Sequence, residues 1–443
     1  MRIGLIAMSG VRAHNEELTK LGLTLPGFVD RNKIIASLPS LGLLTLAGMT
    51  PDDIDVHYLE VPDIKDIADP LNSFDLVAIS TYSAQIFEAY ELADRYRAKG
   101  IKTVIGGPHV TCVPDEAQER CDSVVIGEGE PVWLELLNDF SNNELKPFYS
   151  SFERNFDLSK APMPKFELLN PDKYNRLTVQ TSRGCPHRCE FCGASILIAK
   201  QYQQKPAEKV LAEIRAIKKL WEKPFVEFAD DNTFINKRYW KDLLKELKKE
   251  NIKWFTETDI SIAFDEELLT LMRESGCQQV LIGFESPVET GLNGIELTSN
   301  WKLKQLDKYR YAIDAIQSHG ITVNGCFILG LDGHDKGIFN KVWDFVRETG
   351  LYEVQITIMT AFPGTPLYER LMKENRLLRI DDWAKCTLFD VNYQPQNMTI
   401  KELERGFRDL AEQIYSAECT QERRGRYKKM LGEKVRAKDN HNE

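Results

Sequence analysis

Thr181-Ser-Arg-Gly-Cys185-Pro-His-Arg-Cys189-Glu-Phe-Cys192-Gly193 is the stretch from which the rest of the chain is read. Three thiols stand at C-x3-C-x2-C spacing, directly after an apolar run, Leu177-Thr-Val-Gln180, that predicts a strand. Thiolates at such spacing hold iron–sulfur clusters. A cluster of four irons wants four ligands, and this loop offers three. The next cysteine, Cys277, lies far downstream in a different element. One iron is thereby left open to a non-protein ligand. The alternative is a zinc knuckle, which needs a fourth Cys or His nearby. His187 is inside the loop, but Cys185 and Cys189 crowd it.

From just before the loop onward, strand patterns at 176–182, 224–230, 252–258, 278–285, 321–330 and 353–361 alternate with helical patterns at 206–222, 237–250, 265–275, 301–318 and 335–349. Six β/α units in series predict a parallel barrel, open and partial because eight would close it. Functional groups in such barrels sit at the carboxyl ends of the strands. The cysteine loop occupies one such end. The others carry Asp230-Asp231-Asn232, Thr256-Glu257-Thr258-Asp259, Glu285-Ser286, the run Gly325 to Gly333 with Gly330 inside it, and Thr360 to Thr365. Any one of these carboxylates alone would read as a helix cap. Five strand ends agreeing points to a shared site.

Upstream, the runs Arg2–Met8, Ile54–Leu59, Leu76–Ser80, Lys102–Ile105 and Ser123–Ile126 read as strands, with helices at Pro39–Met49 and at Ala84–Lys99, which Gly100 ends. The alternation predicts a doubly wound, Rossmann-like parallel sheet over residues 1–145. Ligands on such sheets bind beyond the carboxyl ends of the strands. Those ends carry Ser80-Thr81-Tyr82, Gly106-Gly107-Pro108-His109 and Gly127-Glu128-Gly129-Glu130. The glycines would let a ligand approach the backbone, or would simply make turns. Residues 146–175, with Pro147, Pro162, Pro164 and Pro171, read as a linker, 176–375 as the barrel, and 376–443 as a helical cap with a basic tail. Thr399 followed by Glu402 is a capping box that starts a helix to about Ala417. Trp383, Phe389 and Tyr393 read as core residues, with a pocket lining as the alternative. The tail from Glu422 to Lys438 reads as a solvated, partly disordered end.

Composition bounds these readings. The chain has 443 residues, 42% hydrophobic and 28% charged, as in ordinary soluble proteins. No signal sequence opens it, and the most apolar early stretch, Ile34 to Met49, is broken by Pro39, Ser40 and Gly42 and is too short to span a bilayer. Nine cysteines without a disulfide framework point to a reducing cytoplasm. A net charge of −10 argues against broad nucleic-acid binding.

The cysteine loop, with the aromatic Phe191 before its last cysteine, resembles the signature of the radical S-adenosylmethionine (SAM) superfamily. The resemblance implies that Cys185, Cys189 and Cys192 hold a [4Fe–4S] cluster whose open iron is chelated by SAM. It implies that Phe191 presents backbone to the adenine. Asp230 and Asp231 stand where the family often has Gly-Gly-Glu for the SAM amino group, a departure that leaves each role open. Glu285 and Ser286 match the ribose-contacting position, and Gly325 and Gly330 the glycine-rich strand near adenine. Glu257 is among the carboxylates that would face the cationic sulfonium and amino group. The order Asp75 to Ser80, Gly-Gly-Pro-His-Val-Thr, Gly-Glu-Gly-Glu resembles the cobalamin-binding domain that precedes many radical SAM domains. It implies that Ser80, Thr81, Tyr82, Gly106, Gly107, His109, Gly127, Glu128, Gly129 and Glu130 cradle the corrin and its tail. The Asp-x-His-x-x-Gly motif that supplies a lower cobalt ligand is missing. His14 lacks the Asp two places before and the Gly three after, so cobalamin would bind base-off, without a lower histidine. Pro363-Gly364-Thr365-Pro366 and Asn375-Arg-Leu-Leu are similar to the group that includes hopanoid methylases and bacteriochlorophyll-pathway enzymes.

The implied activity is a cobalamin-dependent radical SAM methyl transfer to an unactivated carbon of a small or lipid-like molecule, with electrons from a flavodoxin- or ferredoxin-like donor. A hydrogen-abstracting radical and a homolytically released methyl group are the chemistry that joining two such cofactors suits. A non-methylating cobalamin radical SAM enzyme, catalysing cyclisation, oxidation or rearrangement, is the alternative. An iron–sulfur electron carrier or redox sensor is the reading from another class, and it would not cleave SAM. A tRNA methylthiotransferase fits less well, for want of a second amino-terminal cysteine triad.

Overall fold

Two six-stranded parallel sheets follow one another along the chain in the computed structural model, which describes residues 1–10, 13–16, 18, 38–67, 74–154, 156–194 and 201–439. The first begins with β1 (Arg2–Met8), whose unbroken apolar run from Ile3 suits a central strand covered on both faces. After α1 (Leu41–Met49), β2 (Asp55–Val61) pairs with one edge of β1. β3 (Leu76–Ser80) pairs with the other. The sheet then grows outward through α2 (Ile86–Arg97), β4 (Lys102–Gly106), α3 (Pro108–Cys112), α4 (Pro114–Gln118), β5 (Ser123–Ile126), α5 (Glu130–Ser141) and β6 (Phe148–Ser150), giving the order β2-β1-β3-β4-β5-β6. Helices cover both faces: Leu43 and Ala47 of α1 with Trp133 and Leu136 of α5 on one, and Tyr90, Ala93 and Tyr96 of α2 on the other.

The second sheet starts at β7 (Leu177–Val179) and the short β8 (Ser182–Arg183), which forms an antiparallel ribbon with β9 (Gln203–Gln204). It continues through α6 (Ala207–Leu220), β10 (Phe225–Phe228), α7 (Lys237–Glu250), β11 (Lys253–Thr258), α8 (Glu266–Glu274) and β12 (Cys277–Glu285). Two short helices, α9 (Glu289–Leu292) and α10 (Trp301–Lys304), precede α11 (Tyr309–Ser318), β13 (Thr322–Leu329), α12 (Ile338–Thr349) and β14 (Glu353–Ile358). All strands of the order β14-β13-β12-β11-β10-β7 run parallel, and β7 and β14 lie at opposite edges, so the barrel is open. Its outer wall is packed by fully buried aromatics, including Phe228 against Trp240 and Trp254.

The carboxyl-terminal segment contributes α13 (Pro366–Lys373), α14 (Ile400–Ile414) and α15 (Ala417–Asp439). Thr399 and Glu402 form the reciprocal capping box expected at the start of α14. Trp383, Phe389 and Tyr393 are buried core residues.

Three expectations change. The supposed linker contains β6, which pairs with β5 and completes the first sheet. The helix expected over 301–318 is interrupted between Lys304 and Tyr309 by a 3-10 turn at Leu306–Lys308, and Lys302 and Glu296 before it are buried, the Lys302 N–H donating to Glu296. The basic tail is helical, as α15, through Asp439 and is tied to the barrel by Arg423 and Arg424, the latter 2.7 Å from Glu353. Residues 34–37 of the early apolar stretch, and 440–443, lie outside the described residues.

Candidate active site

The cysteine loop leaves β7 at the barrel mouth and is held from every side. Asp230, just after β10, accepts the Thr181 N–H at 2.7 Å, the Ser182 N–H at 2.9 Å and the Thr181 hydroxyl. Its carboxyl is buried, and burial pushes it up to about 6 against the pull of these bonds. Asp231 accepts the Gly184 N–H at 2.7 Å. Gly184 has φ +92, and an added Cβ would stand 2.9 Å from the Gln201 carbonyl, so the turn requires glycine. Further along, the Glu190 N–H donates to the Ile295 carbonyl at 2.8 Å and the Leu297 N–H to the Arg188 carbonyl at 3.2 Å. Arg370 of α13 reaches Glu190 at 2.7 Å and Asp332 at 2.6 Å. His187 lies between Asp259 at 3.0 Å and Glu296 at 3.4 Å, under Trp301. Burial would lower its pKa, but the two carboxylates win and hold it at about 9.

All three thiols are free. Burial pushes Cys185 up to about 11 and raises Cys189 further, a rise that the ammonium of Lys302 partly opposes. Such thiols become thiolates only when a cation joins them, and iron supplies that charge. A four-iron cube presents its irons at separate corners, and three thiols on one clamped loop suit it.

The mouth around the loop separates groups that are available from groups that are engaged. Glu257 on β11 is reachable by water yet surrounded by protein, so its carboxyl keeps accessible surface while losing bulk solvation. Burial and then the neighbouring Glu227 and Asp231 push it up to about 7. Among the described residues it has no hydrogen-bond or ion-pair partner. The Phe191 peptide likewise makes no hydrogen bond among them. Glu285, in a left-handed conformation at φ +61, is engaged by Lys302 at 2.8 Å. Ser286 is fully buried and shares its hydroxyl with His334 at 2.9 Å. Gly325 packs outward, where a Cβ would meet Leu351 at 2.8 Å, and Gly330 abuts the Tyr393 hydroxyl, which donates to its carbonyl at 2.6 Å. Glu285, Ser286, Gly325 and Gly330 therefore shape the mouth from within the packing.

The strand ends of the first sheet divide in the same way. Tyr82 is exposed, with 60% of its surface accessible just past the end of β3. The Ser9 hydroxyl and both amide atoms of Gln85 are buried and have no hydrogen-bond partner among the described residues. Thr81 is buried, and its carbonyl lies 2.4 Å from where a Cβ on Gly107, at φ +122, would stand. Ser80 and Gly106, which end β3 and β4, and Gly129 in the bend before α5 are partly buried beside these. His109 is corrected from cradle to core. It is wholly buried, bonded to Ser83 at 3.1 Å, 3.6 Å from Glu116, and covered by Trp383. Glu128 and Glu130 both grip Arg183 of the cysteine loop, the latter at 2.8 Å. Gly127, at φ +83, makes the turn that brings them there. His14 is exposed, and its backbone N–H donates to Asp390 at 2.9 Å.

Comparison with known proteins agrees with this arrangement. Residues 30–137 match the B12 binding domain, 179–346 the radical SAM superfamily, and 365–443 a domain of unknown function, DUF4070. The chain joins a B12-binding domain to a radical SAM domain. It is 29% identical over 393 residues to bacteriochlorophyllide d C-12(1)-methyltransferase of Chlorobaculum tepidum, covering 87% of this chain and 84% of that one. It is 27% identical to hopanoid C-2 methylase of Rhodopseudomonas palustris, over 79% and 67% of the two chains. The fold matches the radical SAM methyltransferase TsrM of Kitasatospora setae, solved with cobalamin and a [4Fe–4S] cluster, at a TM-score of 0.64 and 15% identity over 92% and 85% of the chains.

Within the radical SAM site, reading the sequence alone assigned no role to Arg183, Lys302 or Arg370. Arg183 carried a signal, since a charged side chain immediately before a buried turn needs a partner. Lys302 sat in a run that reads as solvated helix.

Proposed function

We propose that this chain is a cobalamin-dependent radical SAM C-methyltransferase that acts on a small or lipid-like molecule. The observation that carries the reading is the three-cysteine loop at an open barrel mouth, tied through Arg183 to the ligand-side loops of a B12-type sheet. Cys185, Cys189 and Cys192 would hold the [4Fe–4S] cluster, with the fourth iron open. When bound, the cofactors supply an electron that cleaves SAM to a 5′-deoxyadenosyl radical and a methyl group that can be released to a carbon radical.

The residues of this chain bind, orient and exclude water. Asp231 and Glu257 place carboxyl groups at the mouth, where a sulfonium and an ammonium would lie, and the Phe191 peptide, without a hydrogen bond among the described residues, offers a donor and an acceptor to an adenine edge. Asp230 holds the loop and does not face the ligand. Tyr82, Gln85 and Ser9 offer the cobalamin side an accessible phenol and buried amide and hydroxyl groups that have no hydrogen-bond partner among the described residues. Of the histidines near those loops, His14 is exposed and His109 is sealed in the core, which supports base-off cobalamin without a lower histidine. A low-potential donor of the flavodoxin or ferredoxin class and a cytoplasmic location complete the reading. No helix among the described residues is long and apolar enough to cross a membrane.

The test is anaerobic SAM turnover. Reduced, reconstituted protein should form 5′-deoxyadenosine, and Cys185→Ala, Cys189→Ala or Cys192→Ala should abolish iron–sulfur absorbance and turnover together. No turnover from a fully loaded cluster would leave an electron carrier or sensor, and 5′-deoxyadenosine coupled to an unmethylated product would leave a cyclase, oxidase or mutase.

A further inference from the structure

We infer that Arg183, gripped by Glu128 and Glu130, is a positioning residue that fixes the distance between the two cofactors. The inference rests on the cobalamin and cluster sites proposed above. Arg183 stands two residues ahead of Cys185, on the last residue of β8. One guanidinium nitrogen donates to Glu128 and the other to Glu130 at 2.8 Å and to Gln180 at 2.9 Å. The three charged side chains keep only 16%, 12% and 8% of their surface. Phe156 lies under the guanidinium at 5.9 Å.

Both ends of this contact are anchored. Glu130 begins α5, where the helix dipole favours its carboxylate. Glu128 follows the left-handed Gly127, whose N–H is fixed by the Thr111 hydroxyl at 3.0 Å. On the other side, Gly184 is tied to Asp231, and Ser182 to Asp230. No flexible joint therefore separates the ligand-side loop of the first sheet from the cysteine loop of the second.

Stability alone does not call for this arrangement. One cation between two carboxylates buries a net negative charge, and apolar side chains of similar volume would serve as well or better. A planar fork held from two directions instead gives a defined geometry, which Lys could not reproduce. Reactions between two bound groups depend steeply on that geometry.

The test uses the full chain, reconstituted anaerobically with iron, sulfide and hydroxocobalamin, as native protein and as Arg183→Gln, Arg183→Lys and Glu130→Gln. Iron and cobalamin per chain and Tm are measured first. The magnetic coupling between cob(II)alamin and the reduced cluster is then read by EPR, and methyl transfer from SAM to cob(I)alamin by visible absorbance. We expect near-native loading with a weakened, broadened coupling. Transfer should slow about tenfold or more in Arg183→Gln, since a misplacement of about 1 Å costs up to about 100-fold, and less in Arg183→Lys. Native coupling and transfer in the variants would overturn the inference. Loss of cobalamin itself would also overturn it, because the pair would then belong to the corrin pocket. A native chain that takes up iron and no cobalamin would remove the underlying function, and this inference with it.

Discussion

Asp230 offers a sharp choice between two roles, contact with SAM or support of the cysteine loop. Its carboxylate accepts two backbone N–H groups and a hydroxyl from Thr181 and Ser182, which have no accessible surface. Asp230→Ala leaves two buried N–H groups unpaired, at about 1–3 kcal/mol each, or roughly 2–6 kcal/mol in all. Even about 2 kcal/mol shifts a local equilibrium roughly 30-fold, so the loop before Cys185 would open. Asp230→Asn behaves differently. Both N–H groups reach the same oxygen, Oδ1, which an amide retains, and the Thr181 hydroxyl can turn to accept from the new NH₂. Asn also avoids the desolvation that raises the native carboxyl. Its net cost should be about 1 kcal/mol or less. The assay is iron per chain after anaerobic reconstitution, followed by 5′-deoxyadenosine formation across a SAM titration. Ala should lose iron and turnover, and Asn should keep both with an unchanged SAM KM. Wild-type iron in the Ala variant, or an Asn variant with a full cluster and a greatly raised SAM KM, would refute the loop-support role.

Glu257, pushed up to about 7 by burial, is harder to ionise in the fold than in the unfolded chain. Its raised folded value means that native stability falls as pH rises from about 4.5 to about 7 and then levels. The Tm advantage of Glu257→Gln over the native chain should therefore grow across that interval, and a pH-independent difference would contradict it. Gly107→Ala should drive a Cβ into the Thr81 carbonyl, 2.4 Å away, and so disturb the loop leading to Tyr82. Cobalamin retention should fall while iron per chain holds, whereas loss of iron alone would place the defect elsewhere. Thr399→Ala removes half of a capping box and should cost about 1 kcal/mol, read as a small drop in Tm with both cofactors retained; an unchanged Tm would show that the cap contributes nothing.

Local patterns carried most of the fold into the sequence. Alternating apolar strands and amphipathic helices predicted both sheets, and the spacing of three cysteines marked the site, because each of these depends only on near neighbours in the chain. Partnerships across the fold left no such trace. β6 hides in a proline-bearing segment because an edge strand of three residues has too little pattern to be seen. Glu128, Glu130 and His109 looked like ligand contacts from their strand-end positions, and only the fold brings Arg183 and Trp383 to them. The basic α15 read as a solvated tail because its anchors, Glu353 and the backbone of Ile414, lie in other elements.

The most direct measurement is anaerobic reconstitution with iron, sulfide and hydroxocobalamin, followed by desalting and a visible spectrum. A two-cofactor enzyme should retain about four irons and about one cobalamin per chain, the stoichiometry that one [4Fe–4S] site and one corrin site require. Iron retained at that level without cobalamin would contradict the account. The first sheet would then serve substrate or nothing, and the methyltransferase reading would fall.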